Sequence, residues 1–143
     1  SSSPPPPPPP SQTLTEIKRN IDGREITFEL EKYFVSDELA VGKWRAPENN
    51  EFNLPVGTYS WGVWWKNSCF GAYRIHSSNG VLKSYRFDAL EVIKIKGERW
   101  REGEGRSGKE NVIIFRDLLL DCVVKPVGGK EGRAERMRVG EGK

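Results

Sequence analysis

The sequence predicts an all-β protein: a small, strongly coiled antiparallel β-barrel behind a disordered, proline-rich leader. Three observations carry this. Short runs of aromatic and β-branched residues, alternating with a period of two, follow one another at close spacing. No window holds an apolar 3.6-residue period long enough for a helix. Gly42, Gly62 and Gly71 fall inside the apolar runs, where glycine marks sharp coiling or close backbone approach.

The leader "SSSPPPPPPPSQ" contains seven consecutive prolines. Such a run forms extended polyproline II and cannot join a core. It reads as a linker or as a docking peptide for a proline-binding module. From Thr13 the strand signals begin with "TLTEIKRN" and the turn "IDG". In "REITFELEKYF", Ile26, Phe28 and Leu30 alternate with Thr27, Glu29 and Glu31, as in a half-buried strand. "ELAVGKW" follows the "SD" break, and "RAPENNEFNLPVG" is a long loop of turn formers. "TYSWGVWWK" and "CFGAYRIHS" come next, and Asn79-Gly80 is the strongest local hairpin signal. "VLKSYRF", "LEVIKIK" and "NVIIFRDLLLDCVV" complete the barrel. Residues 97–110 read as a charged, glycine-rich hairpin extension. The expected boundaries are 1–13 for the leader, 14–129 for the barrel and 130–143 for a tail, either mobile or one more edge strand.

A chain of 143 residues suits one domain. The net charge of +3 is too small to argue for nucleic acid, since dedicated binders concentrate a basic face. No apolar run approaches the roughly 20 residues that cross a bilayer, and the N-terminus lacks a signal-peptide layout. An intracellular, cytoplasmic protein without a membrane partner is expected. Cys69 and Cys122 have no metal-ligand spacing and fit a reducing compartment. His76 is the sole histidine, which argues against a His-rich zinc site and against an imidazole triad unless His76 itself serves.

Chemistry concentrates in "FRDLLLDCVVKPVGG". The chain has five aspartates, and two of them, Asp117 and Asp121, stand here among leucines and valines, where a carboxylate is costly unless paired. Alternation places Asp117, Leu119 and Asp121 on one face and Leu118, Leu120 and Cys122 on the other. The leucine-rich face is expected to pack and the aspartate face to look into a barrel mouth or cleft. In a flat strand the two carboxylates lie about 13 Å apart at roughly 3.4 Å per residue, too far for one ion. Either a bulge or strong coiling shortens that span, or each serves a different ion, or only one belongs to the site; two solvated strand ends are the bland alternative. Asp88 follows the strand after Asn79-Gly80, and antiparallel pairing could bring it near Asp117. Clustered oxygen ligands favour Mg²⁺ or Mn²⁺, and Lys18, Lys83, Arg74 and Arg86 are candidate phosphate partners. Among the rings of "YSWGVWWKNSCFGAY", most belong to the core, and one or two, Trp65 among them, could stack on a base.

These pieces in this order resemble the FomD-like barrel family, whose members include bacterial nucleoside tri- and diphosphatases and a hydrolase of a cytidylylated phosphonate. The resemblance spans about residues 14–129 and rests on "IKRNIDGREITFELE", "GTYSWGVWWKNSCFGAYRIHSSNG", "GVLKSYRFDALEV" and "IFRDLLLDCVVKPVGG". It implies a barrel holding divalent metal ions that activate water against a nucleotide's phosphate chain. By position, Asp88 resembles the family's metal ligand after the aromatic strand, and Asp117 and Asp121 the outer members of its aspartate series. Tyr85 and Arg86 fall where members place an aromatic pair, Lys83 falls near a basic residue, and Arg24 is displaced from a proton-donating arginine. The resemblance thus implies catalytic roles for Lys83, Tyr85 and Arg24, substrate contacts from Lys18, Arg74, Arg86 and Trp65, and metal ligation by Asp88, Asp117 and Asp121. Leu119 stands where those nucleotidases carry a middle aspartate, and Val127-Gly128-Gly129 replaces a Pro-Asp-Gly turn. Glu131, Glu135 and Glu141 are loose counterparts of a further acidic segment. The leading expectation is a metal-dependent phosphohydrolase acting on a nucleoside di- or triphosphate or a related phosphoanhydride or nucleotidyl ester. A catalytically degenerate barrel serving as a binding or scaffold module is the alternative, and a single-stranded nucleic-acid binder the third.

Overall fold

The alternating runs become strands because β-branched and aromatic side chains suit a pleated, half-buried surface. The computed structural model describes residues 12–97, 100–101, 105–106, 111–127 and 131–139; the proline run of the leader lies outside them. Six strands run as an antiparallel meander: β1 (Thr13–Arg19), β2 (Glu25–Val35), β3 (Leu39–Arg45), β4 (Tyr59–Trp65), β5 (Phe70–His76) and β6 (Leu82–Lys96). A two-stranded excursion, β7 (Trp100–Arg101) and β8 (Gly105–Arg106), follows within the charged segment. Then β9 (Val112–Val127) returns antiparallel to β6 and lies parallel to β1, closing a seven-stranded barrel. The parallel seam departs from a wholly antiparallel barrel. It follows from the odd strand number: in an up-and-down meander the first and seventh strands point the same way. The described residues contain no helix, and therefore none long and apolar enough to cross a membrane.

β9 is long enough to serve two partners along one edge. Val112–Arg116 pair with β1, and Leu120–Val127 pair with β10 (Glu131–Val139). Residues 131–139 therefore form an edge strand, one of the two forms open to them on composition. The hairpin at Asn79-Gly80 is also present. Gly80 has φ of 94°, which L side chains rarely adopt, and its N–H donates to the Ser77 carbonyl at 2.9 Å. His76 is committed to this hairpin: its ring stacks on Tyr59 at 4.8 Å, and Nδ1 lies 3.1 Å from the Gly80 carbonyl.

The interior is built around Trp64, which is 1% exposed. Its ring stacks on Phe115 and meets Tyr73 edge-on, and its indole N–H donates to the Tyr73 hydroxyl at 3.3 Å. Leu14, Leu30, Ala40, Leu90, Ile95 and Ile113 surround it. The strand glycines make room for this packing. A β-carbon at Gly62 would run into the Trp64 ring, one at Gly71 would sit 2.9 Å from Leu90, and one at Gly42 would sit 2.8 Å from Leu14.

One expectation is corrected. The leucine-rich side of β9 is not the packed side: Leu118 is 45% exposed, and Leu120 and Cys122 are only half-buried. Barrel closure turns the aspartate-bearing face inward and leaves the leucines on the outer wall.

Candidate functional site

The inward face of β1 reads Leu14, Glu16, Lys18 by alternation and continues toward Asn20. It begins in the apolar core and becomes polar toward its C-terminal end. β6 runs the opposite way, from Arg86 and Asp88 to Leu90, and β9 runs from Ile113 and Phe115 to Asp117 and Asp121. The β1–β9 parallel register and the β6–β9 antiparallel register bring all three polar stretches to the same end of the barrel.

A bulge sets the aspartates. Asp88 is the cross-strand partner of Asp121, while Leu90 partners Asp117, so four steps along β9 match two along β6. The extra residues are absorbed at Leu119, whose φ of 60° is left-handed; its N–H donates to Asp117 Oδ1 at 2.9 Å. A left-handed non-glycine residue costs on the order of 1–2 kcal/mol, and the turn is held by the Asp117 side chain. Of the ways that two aspartates four apart could serve a site, the structure uses a bulge. It pairs Asp121, not Asp117, with Asp88.

Asp88 and Asp121 are direct cross-strand neighbours. Burial is the main cause that pushes the Asp88 pKa up, to about 7; Arg86 opposes it, and the neighbouring Asp121 adds to it. The Arg86 Nε donates to Asp88 Oδ1 at 2.8 Å, and the guanidinium lies over the Tyr73 ring at 4.7 Å. Burial works against the charge on Arg86, but Asp88, Tyr73 and Asp121 outweigh it and raise its pKa above the usual value. Lys18 reaches Asp117 at 3.8 Å, both side chains being mostly buried.

Glu16 and Asn20 escaped sequence reasoning, while Tyr73 was read only as one of a cluster of rings mostly in the core. Glu16 is buried, and desolvation lifts its carboxyl to about 7 against the pull of Lys18 and Arg86, with Asp88 adding to the rise. The Tyr73 hydroxyl is pushed well above its usual range by burial, then by Glu16 and Asp88. Asn20 is 6% exposed, yet neither its Oδ1 nor its Nδ2 has a hydrogen-bond partner among the described residues. The alternation Leu14-Glu16-Lys18-Asn20 was the available signal. It looks unlike a core face, and only barrel closure turns it inward.

The structure does not bring the remaining candidates to this pair. Arg74, Lys83, Tyr85 and Trp65 are exposed, for one reason: with Tyr73, Ser84, Arg86 and Trp64 inward, a period of two sends their neighbours out. Arg74 instead donates to His76 Nε2 at 2.9 Å. Arg24 lies in the turn at the polar end, its Nε 2.6 Å from Asp22. Glu131 and Glu135 lie on β10, and Glu141 is outside the described residues.

Among the described residues no group of three or more His, Cys, Asp or Glu side chains is placed to hold a metal ion. The donor set is two carboxylates, Asp88 and Asp121, with the unpartnered Asn20 amide on the inward face of the same end. Mg²⁺ is commonly bound through one or two carboxylates and completes its shell with water and phosphate oxygens, so the pair fits that mode.

No protein-family model matches this chain, and no curated protein matches it in sequence. A solved structure, the complex of FomD with CDP, superimposes with a TM-score of 0.50 at 11% sequence identity. The match covers 85% of this chain and 66% of that one, so the chain spans just under two thirds of that protein's length. At that identity the likeness shows the fold: a FomD-like β-barrel.

Proposed function

We propose that the polar end of the barrel is a phosphate site, and that the protein is a divalent-metal-dependent hydrolase of a nucleoside di- or triphosphate or a related phosphoanhydride or nucleotidyl ester. The observation that carries the reading is the inward pair Asp88–Asp121 beside Arg86. Two carboxylates facing one another in a desolvated site repel, and a cation relieves that repulsion. Asp88 and Asp121 would hold Mg²⁺ or Mn²⁺, which when bound supplies Lewis-acid polarisation of a phosphoryl oxygen and a more acidic water. The chain's own groups do the rest. Lys18 and Arg86 present cations to phosphate oxygens, and Asn20 offers an amide with free donor and acceptor capacity. Trp64 and Leu90 close the floor against water. The FomD structure contains CDP, a nucleoside diphosphate, which agrees with this substrate class.

The test is phosphate release from a nucleotide panel with Mg²⁺ or Mn²⁺. Asp88→Asn and Asp121→Asn should each lower turnover roughly 100-fold or more, the scale of losing one positioned catalytic group, with folding kept. A wild-type chain without metal-dependent turnover on any phosphoanhydride would leave a binding or scaffold barrel. One observation favours that second reading: Leu119 puts an apolar side chain in the bulge between the two β9 aspartates.

A further inference from the structure

The outer wall of β3, β4 and β5 carries an unusual surface. Val41 pairs with Val63 and Val63 with Ala72, forming a low apolar floor across three strands. Tyr33, Trp61 and Tyr85 stand along its edges, enclosing a trough of about 470 Å³. Tyr33 is 72% exposed and meets the Trp61 ring edge-on at 5.6 Å. The trough faces away from the carboxylate pair, so the phosphate site makes no use of it.

We propose that the trough is a polyproline dock and that its occupant is the chain's own leader, Pro4–Pro10. Four observations converge. Aromatic-lined grooves recognise polyproline II because the helix is stiff before binding and its rings pack flat on aromatic faces. A proline run offers carbonyl acceptors and no N–H, while Tyr33, Tyr85 and Trp61 each carry an O–H or N–H donor. The first described residue already lies at the edge of the trough: the Lys32 N–H donates to the Gln12 carbonyl at 2.7 Å, and Tyr33 is the next residue of β2. The lengths also agree. Seven prolines span about 22 Å at 3.1 Å per residue, and the four interstrand steps from Tyr33 on β2 to Tyr85 on β6 cover about 19 Å at 4.8 Å each.

The experiment uses the full chain labelled with 5-fluorotryptophan, read by ¹⁹F NMR, with Trp61→Phe assigning the Trp61 resonance. A second full chain has Pro4–Pro10 replaced by glycine and serine. Its Trp61 resonance should differ from the native position and return on titration with a heptaproline peptide. The native chain should need at least about ten times more peptide, since a short tether holds its leader near millimolar effective concentration. Tyr33→Ala, a change at an exposed side chain, should abolish the difference in Trp61 resonance between the chain with prolines and the chain without them. An identical Trp61 resonance in the two chains overturns the proposal, as does an equal peptide response in both. So does a Trp61 shift produced only by an oligonucleotide with steep salt dependence, which would assign the trough to single-stranded nucleic acid.

Discussion

The two ends of the barrel interior are built from the same strands and obey opposite rules. At one end Leu14, Leu90, Ile113 and Phe115 close on Trp64 in a mainly apolar cluster. At the other, a few residues along β1, β6 and β9, the inward groups are Glu16, Lys18, Arg86, Asp88 and Asp121. Burial of the first kind stabilises the fold at about 25 cal/mol per Å² of apolar surface. Burial of the second kind costs free energy that hydrogen bonds and counter-charges only partly return. An interior that spends half its length on desolvated charge is arranged for a ligand and not for stability alone, and the two ends should answer differently to substitution and to pH.

The largest effect should come at the apolar end. Trp64→Ala is expected to cost about 3–5 kcal/mol by transfer and cavity terms, measured by urea denaturation, and the loss should be the same at pH 4.5 and pH 8. A pH-dependent cost would erase the distinction between the ends.

The polar end should show the reverse. The folded-state pKa of Glu16 is raised from 4.5 to about 7 because burial penalises its charge. Between those values the folded state binds more protons than the unfolded one, so its contribution is complete below pH 4.5 and is lost as pH rises through 7. Glu16→Gln should therefore flatten the stability profile and raise stability at pH 8 by up to about 3 kcal/mol, at 1.36 kcal/mol per pKa unit. A residual slope should remain, because the raised pKa of Asp88 acts with the same sign. No gain at pH 8 would mean that Glu16 reaches water or a cation.

Smaller effects refine the boundary. Gly62→Ala places a methyl group against the Trp64 ring and should cost about 1–3 kcal/mol through overpacking; paired with Trp64→Ala it should cost much less, which a double-mutant cycle reads directly. Leu118→Ser, on the outer wall, should change stability by no more than about 0.5 kcal/mol. A core-sized loss there would put the leucine-rich side back among the packed surfaces.

Much of this was legible in the residues. The strand series, the Asn79-Gly80 hairpin and the space-making glycines follow from alternation and local backbone preference. Lys18, Arg86 and Asp88 were also found in the sequence, and they meet at one end. Arg74, Lys83, Tyr85 and Trp65 were drawn from the right strands on the wrong phase, since a period of two separates each from an inward neighbour. Glu16 and Asn20 went unseen because nothing local to them says that their strand edge is sealed.

The sequence by itself determined which segments are strands, where they turn and which side chains share a face, because these depend on steric preferences within a few residues. Tertiary structure alone decided that β1 seals against β9, that a left-handed Leu119 lets Asp121 rather than Asp117 face Asp88, and that Glu16 becomes a buried acid. Those outcomes rest on cross-strand register, which is set between segments far apart in the chain, β1 with β9 and β6 with β9, and has no local trace in the sequence.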